Sequence, residues 1–300
     1  MKHNWLITLT LLALYLVSHA VGLLLITQDM TIVMENGERI VRYTDTALGE
    51  RPEMQGMGTL LYLALGVGIG TFALLLLMRY KQYNLWKFWF FTASFLAISL
   101  ALGTIIPNVI AFGIGFGLAF AKIQFQNRYV HNATEVLMYA GLAVFFAPLL
   151  DVWWGIALLI LFSIYDAYAV WQSEHMVDMA EFQSKSVFAG LNLSNKSITT
   201  DKQGRTKTVQ EQTGGNGPHA AILGGGDIAI PLLFTAAVME HTVSTGASKL
   251  PAALSAFTVS ITSAGALLLL FYMSEEGSFY PAMPFITVGC VAGFALVSLV

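Results

Sequence analysis

The chain contains one cysteine, Cys290, and that cysteine stands in an apolar run. A disulfide framework and a cysteine-based metal site are therefore excluded. Charge is scarce as well: 11% of the 300 residues are Asp, Glu, Lys or Arg, where a soluble domain carries about 25%. The net charge is −3 and no basic tract is present, which argues against a nucleic-acid partner. No H-E-x-x-H string occurs and the six histidines are scattered, so an intramembrane metalloprotease is not expected. No serine elbow motif occurs either. Long polar stretches are rare: 56% of the residues are hydrophobic and the mean hydropathy is +0.67. The chain reads as an all-α, polytopic membrane protein.

A span needs about 20 mostly apolar residues. Nine segments meet that measure, at roughly 5–26, 57–78, 86–105, 109–125, 133–150, 152–172, 218–239, 250–273 and 280–299. The first is too long for a signal-peptide core and no clear cleavage site follows it, so it reads as a retained span. Two polar segments leave the membrane, Thr27 to Gln55 and Gln172 to Gly217. The second reads as a flexible cytoplasmic loop. It holds Ser186-Val187-Phe188-Ala189-Gly190, a small apolar island that could dip back to the membrane and a candidate for self-cleavage. The organisation expected is a six-helix part over 1–173, a loop over 174–217 and a three-helix part over 218–300. Lys and Arg crowd the short loops after the second, fourth and sixth spans. This places the N-terminus in the cytoplasm and the C-terminus outside.

What is present, against this apolar background, is two lone aspartates. Asp166 lies in the run Val152 to Trp171, and Asp227 in the run Ala220 to Val238. A carboxylate in mid-membrane costs roughly 2.5–3.5 kcal/mol on insertion scales. Asn or Ser would tie helices together more cheaply, so the cost points to function. Counting 1.5 Å per residue along the expected spans puts Asp166 about 9 Å and Asp227 about 13 Å from the cytoplasmic edge. Neighbouring helices could thus set the two face to face. Like charges a few Å apart cannot both ionise without a large penalty, so such a pair shares one proton. The ionised member activates a water and the protonated member donates to the carbonyl under attack. That chemistry needs no metal, cofactor or covalent intermediate.

The neighbours of the pair fit. Gly224 and Leu223 precede Asp227 by three and four residues and, on a helix beginning near Pro218, share its face. Gly224-Gly225-Gly226 allows close backbone approach and weakens the helix before Asp227. Pro231 withholds the N–H that would bond the Asp227 carbonyl. Pro281-Ala282-Met283-Pro284 opens the last span on the cytoplasmic side, where two prolines stiffen the backbone. An ordinary helix start would also welcome proline there. His19 reads as a packing residue. Glu135, Asp151 and Glu240 lie near span ends within reach of water, and Trp86, Trp89, Trp153 and Trp154 read as interface anchors.

Tyr165-Asp166, Gly224-Gly225-Gly226-Asp227 and Pro281-Ala282-Met283-Pro284 resemble the YD, GxGD and PALP motifs of the presenilin and signal peptide peptidase families. Order, spacing and helix number agree along the whole chain. The resemblance implies an intramembrane aspartyl protease acting in the lipid bilayer on transmembrane-helix substrates, with Asp166 and Asp227 as the catalytic pair. Tyr165, the three glycines and residues 281–284 are implied as the substrate-receiving shell. Met283 departs from the usual leucine, and Gly225 replaces a larger apolar residue. Length and the lack of long tails resemble the microbial presenilin homologues, and the basic loops favour the presenilin orientation over that of signal peptide peptidases. Animal presenilins work with partner subunits. The competing reading is a proton-coupled transporter with the aspartates as a relay, although the paired repeats common in transporters are absent.

Overall fold

A computed structural model of the chain describes residues 5–35, 38–52, 54, 56–125, 127–171, 189–192, 196–200, 206–210, 222–274 and 280–299. Nine α-helices occur among them: α1 (Trp5–Asp29), α2 (Met57–Arg79), α3 (Tyr83–Gly103), α4 (Asn108–Gln124), α5 (Arg128–Phe146), α6 (Val152–Trp171), α7 (Gly226–Ser244), α8 (Lys249–Met273) and α9 (Met283–Ser298). Six of them, α1, α2, α3, α5 with the short 3-10 turn Ala147–Leu149, α6 and α8, are long and apolar enough to cross a membrane. The helices α4 and α9 are apolar but shorter.

Local chemistry sets several boundaries. Asn127 caps α5 by accepting the Tyr129 N–H at 2.8 Å. The helix therefore starts five residues ahead of the apolar segment, through the polar turn that hydropathy alone skips. Asp151 accepts the Trp154 N–H at 3.0 Å and starts α6, an N-terminal use of a carboxylate that also suits the helix dipole. Strands β1 (Met30–Glu35) and β2 (Glu38–Tyr43) form an antiparallel hairpin after α1. It is tied down by Arg51, whose Nη2 lies 2.5 Å from Asp29 Oδ2 and 3.1 Å from the Val144 carbonyl. Tyr43 donates to Glu240 at 2.6 Å, which holds the far end of α7. Burial and the adjacent Glu240 carboxylate push the Tyr43 phenol well above its ordinary value.

The helix α7 occupies the middle of the fold, packed against α1, α5, α6, α8 and α9. It buries Ile228, Pro231 through Met239 and Val243, which is the all-round burial expected of a helix apolar on every side. The main core joins α1, α5, α6, α7, α8 and α9, and a smaller cluster joins Leu74, Trp86, Phe90, Ala97, Ile98 and Met138. Trp86 is one of these buried residues, 5% exposed. It is a core residue and not the interface anchor expected from its place near a span end. By contrast Trp153 is 72% exposed. Helix α2 is mostly exposed, with Ile69 and Phe72 facing outward, as a lipid-facing helix would be.

The start of the seventh helix differs from expectation. Residues Ile222–Gly224 form strand β6, antiparallel to β3 (Gly190–Asn192), with Gly190 opposite Gly224 and Leu191 opposite Leu223. Strands β4 (Lys196–Thr200) and β5 (Thr206–Gln210) pair in a second ribbon within the segment expected to be a flexible loop. Of the apolar island, Ser186, Val187 and Phe188 lie outside the described residues, while Gly190 belongs to β3. Two leucines facing each other, both buried, favour the ribbon over a helix that three consecutive glycines would weaken by about 1 kcal/mol each.

Candidate active site

Asp166 sits one turn from the end of α6, and Asp227 sits in the first turn of α7. Both side chains are half-buried, and the carboxyls are near enough to interact electrostatically. The depth expected for Asp227 rested on a helix beginning at Pro218. Because α7 begins at Gly226, its carboxylate lies at the mouth of the helix, where the positive end of the dipole favours it. Gly224 is thus on a strand and not on the same helical face as Asp227. Its closeness is real for another reason: a Cβ on Gly224 would stand 3.1 Å from Asp227 Oδ2.

The other glycines separate in role. A Cβ on Gly225 would lie 3.2 Å from the Tyr139 hydroxyl, so the Tyr139 ring fills the space a side chain would take. Gly226 has open space around its Cβ position. Residue 225 also begins the helix, since its carbonyl accepts the Ala229 N–H at 2.9 Å.

The proline motif reaches the other carboxylate. Met283 N–H donates to Asp166 Oδ2 at 3.0 Å. The Met283 amide is free to do this because Met283 is the first residue of α9, and the N–H groups of a helix's first turn have no intrahelical acceptor. Pro281 and Met283 are buried, while Ala282 and Pro284 are partly so. One turn along, Ser163 and Thr287 share a hydrogen bond of 2.7 Å, and Thr287 also reaches the Leu159 carbonyl at 3.3 Å. These bonds fix the register of α9 on α6. Tyr165 is 43% exposed, and the hydrogen bond to Asp166 described here comes from a backbone group instead.

Around the pair stand polar residues that the sequence reading did not connect with it. Tyr15 bonds Ser263 at 2.8 Å and His19 bonds Ser260 at 2.7 Å, both tying α1 to α8 as packing residues. Glu135 does not reach water as expected: it is 1% exposed and paired with Lys122 at 2.7 Å. The available signal was the spacing of Glu135 and Tyr139, four residues apart on one helix face.

The family model described as signal-peptide peptidase, presenilin aspartyl protease matches residues 13–300. No curated protein matches the sequence. Among solved structures, a presenilin family intramembrane aspartate protease in a C222 crystal matches with a TM-score of 0.61 and 16% identity, covering 98% of each chain. The P2 crystal form gives a TM-score of 0.61 and 17% identity, covering 99% of each. At that identity the likeness to the solved structures is one of fold.

Proposed function

The chain belongs to the signal-peptide peptidase and presenilin aspartyl protease family, and from that membership and the site geometry we propose that it hydrolyses peptide bonds within transmembrane helices, using Asp166 and Asp227 as the catalytic pair. The observation that carries the reading is the meeting of two distant segments, the ends of α6 and α9 joined by the Met283–Asp166 hydrogen bond, with Asp227 at the start of α7 within electrostatic reach of Asp166. The pair shares one proton. Its ionised member takes a proton from water as the oxygen attacks the scissile carbonyl, and its protonated member donates to the carbonyl oxygen. The tetrahedral species then collapses: the C–N bond breaks, the leaving amine takes a proton from one carboxyl of the pair, and a hydroxyl of the gem-diol returns a proton to the other, which restores the shared proton. No metal or cofactor enters this sequence.

A helical substrate shields its peptide bonds with its own hydrogen bonds, so the segment must unwind first. Pro281 and Pro284 hold a stretch that cannot close its own backbone bonds, and Met283 gives an adaptable apolar contact. On this reading 1–173 supplies Asp166, 218–300 supplies Asp227 and residues 281–284, and 174–217 is a cytoplasmic loop. The partners are single-span membrane proteins within the bilayer, and the nine helices are nine spans.

The test is cleavage of a purified single-span test protein by the purified chain in vesicles, with and without a transition-state-analogue inhibitor of aspartyl proteases. Inhibitor-sensitive fragments support the reading, whereas an intact substrate together with proton flux would favour a transporter. Run across pH, the rate is expected to be bell-shaped, because one carboxyl must be ionised and its partner protonated, and both limbs belong to the pair. A rate that climbs steadily from acid to alkaline pH would point to another base.

Orientation follows from the basic loops. Cysteine accessibility mapping should find Gln82 and Lys202 on the cytoplasmic side and Gly49 outside. The reverse result would give the orientation of signal peptide peptidases and turn the expected substrate around.

A further inference from the structure

The face of α5 toward Asp227 carries buried ionic groups that the proposed chemistry does not use. Lys122 Nζ lies 2.7 Å from Glu135 Oε1, with side-chain exposures of 0% and 1%. The same ammonium donates to Thr134 Oγ1 at 3.2 Å and to the His131 carbonyl at 3.4 Å, and it stands 5.4 Å from the centre of the Phe90 ring. The second oxygen of Glu135 accepts the Tyr139 hydroxyl. His131 Nε2 lies 3.8 Å from Glu135 Oε1 and 2.8 Å from the Gly190 carbonyl. A carbonyl only accepts, so Nε2 carries a proton. His131, Glu135 and Tyr139 recur every four residues and form one stripe along the helix.

A buried ion pair is often no better for stability than apolar residues of the same volume. Joining α4 to α5 is therefore a weak reason for this one. What the stripe touches offers a stronger reason. At one end His131 holds Gly190, which is the register partner of Gly224 in the β3–β6 ribbon. At the other end the Tyr139 hydroxyl lies against Gly225, at the turn into α7. Asp227 follows two residues later, with its Oδ2 packed 3.1 Å from where a Gly224 Cβ would stand. The ribbon and the turn before Asp227 are thus held at two points from the α5 side, by side chains that themselves meet Glu135 of the Lys122–Glu135 pair.

The geometry points to Lys122, His131, Glu135 and Tyr139 as positioning residues, which set where Asp227 stands relative to Asp166 by holding the β3–β6 ribbon and the Gly225 turn. The assignment rests on the protease reading above. It separates the stripe from plain helix packing: packing would be restored by any neutral filling of the same space, and positioning would not.

Removing Glu135 alone would strand a buried ammonium and could unfold the protein. The informative variants are Tyr139→Phe, which deletes one oxygen, and the double change Lys122→Met with Glu135→Gln, which removes both charges together. Each is compared with wild type in vesicles. The probe is a synthetic Leu/Val single-span helix, lysine-flanked and carrying a fluorophore–quencher pair. The expected result is a kcat about 10–100-fold lower for both, from misplacement of the carboxyl, with KM unchanged within about twofold. Amide exchange should quicken at residues 223–227 and stay unchanged in α8. Wild-type kcat and wild-type exchange in both variants would overturn the assignment and leave the stripe as packing. If the wild-type protein does not cut the probe while the exchange still quickens, the protease reading fails and the mechanical hold on residues 223–227 stands. Unchanged exchange overturns the hold whatever the activity.

Discussion

Asp166→Asn and Asp227→Asn are each expected to reduce cleavage to background, a loss of at least about 10²–10⁴-fold, the range supplied by acid–base groups. The protein should nevertheless stay folded. Asn is the same size as Asp, and its side-chain oxygen can still accept the Met283 N–H that reaches Asp166 at 3.0 Å. At position 227 an amide fills the same space against Gly224. Burying a charge is costly, so its removal should leave the melting temperature unchanged or slightly raised. Cleavage and thermal unfolding in detergent, measured on the same preparations, check both halves. Substantial cleavage by either purified single variant would end the assignment of the pair.

Gly289→Leu is expected to have the next largest effect, through packing. A Cβ at this position would stand 2.6 Å from Ser263 Cα and 2.7 Å from the Thr262 carbonyl. Those are backbone atoms of α8 and cannot rotate away, so α9 must move. Overpacking of this kind costs about 1–3 kcal/mol and occasionally more. Thr287, bonded to Ser163, lies two residues away, and Met283 lies a further turn along. Displacing α9 therefore draws the Met283 amide away from Asp166. Activity should fall about 100-fold and the melting temperature should drop. Gly117, whose Cβ position has nothing within 4 Å, is the control: Gly117→Leu should change neither. Wild-type cleavage by Gly289→Leu would mean that the fit of α9 on α8 does not govern the site.

The parts of this fold that a sequence reveals are those written locally. Apolar length gives most helices, and a carboxylate such as Asp166 is conspicuous against Ile164 and Ala167 because lipid tolerates it poorly. The β3–β6 ribbon was not legible. Ile222 and Leu223 read equally well in a helix or a strand, since a short apolar run carries no period, and the partner Leu191 lies on the other side of a long polar segment. The error carried into the place of Asp227 along its helix, which is the first turn of α7 and not nine residues inside it. Glu135 was misplaced for a related reason: position near a span end suggests water, but its pairing with Lys122 is a contact between two helices that neither helix announces. Trp86 likewise looked like an anchor by its place in the chain, and the packing of α2, α3 and α5 makes it core.

The most direct test of the central claim is the mass of the fragments released when the purified wild-type chain, in vesicles, meets a single-span protein of known sequence. Two complementary products are expected, with new termini within the apolar segment, and both are absent when Asp227→Asn replaces wild type. Fragments ending only in the aqueous flanks, or fragments still produced by Asp227→Asn, would contradict it.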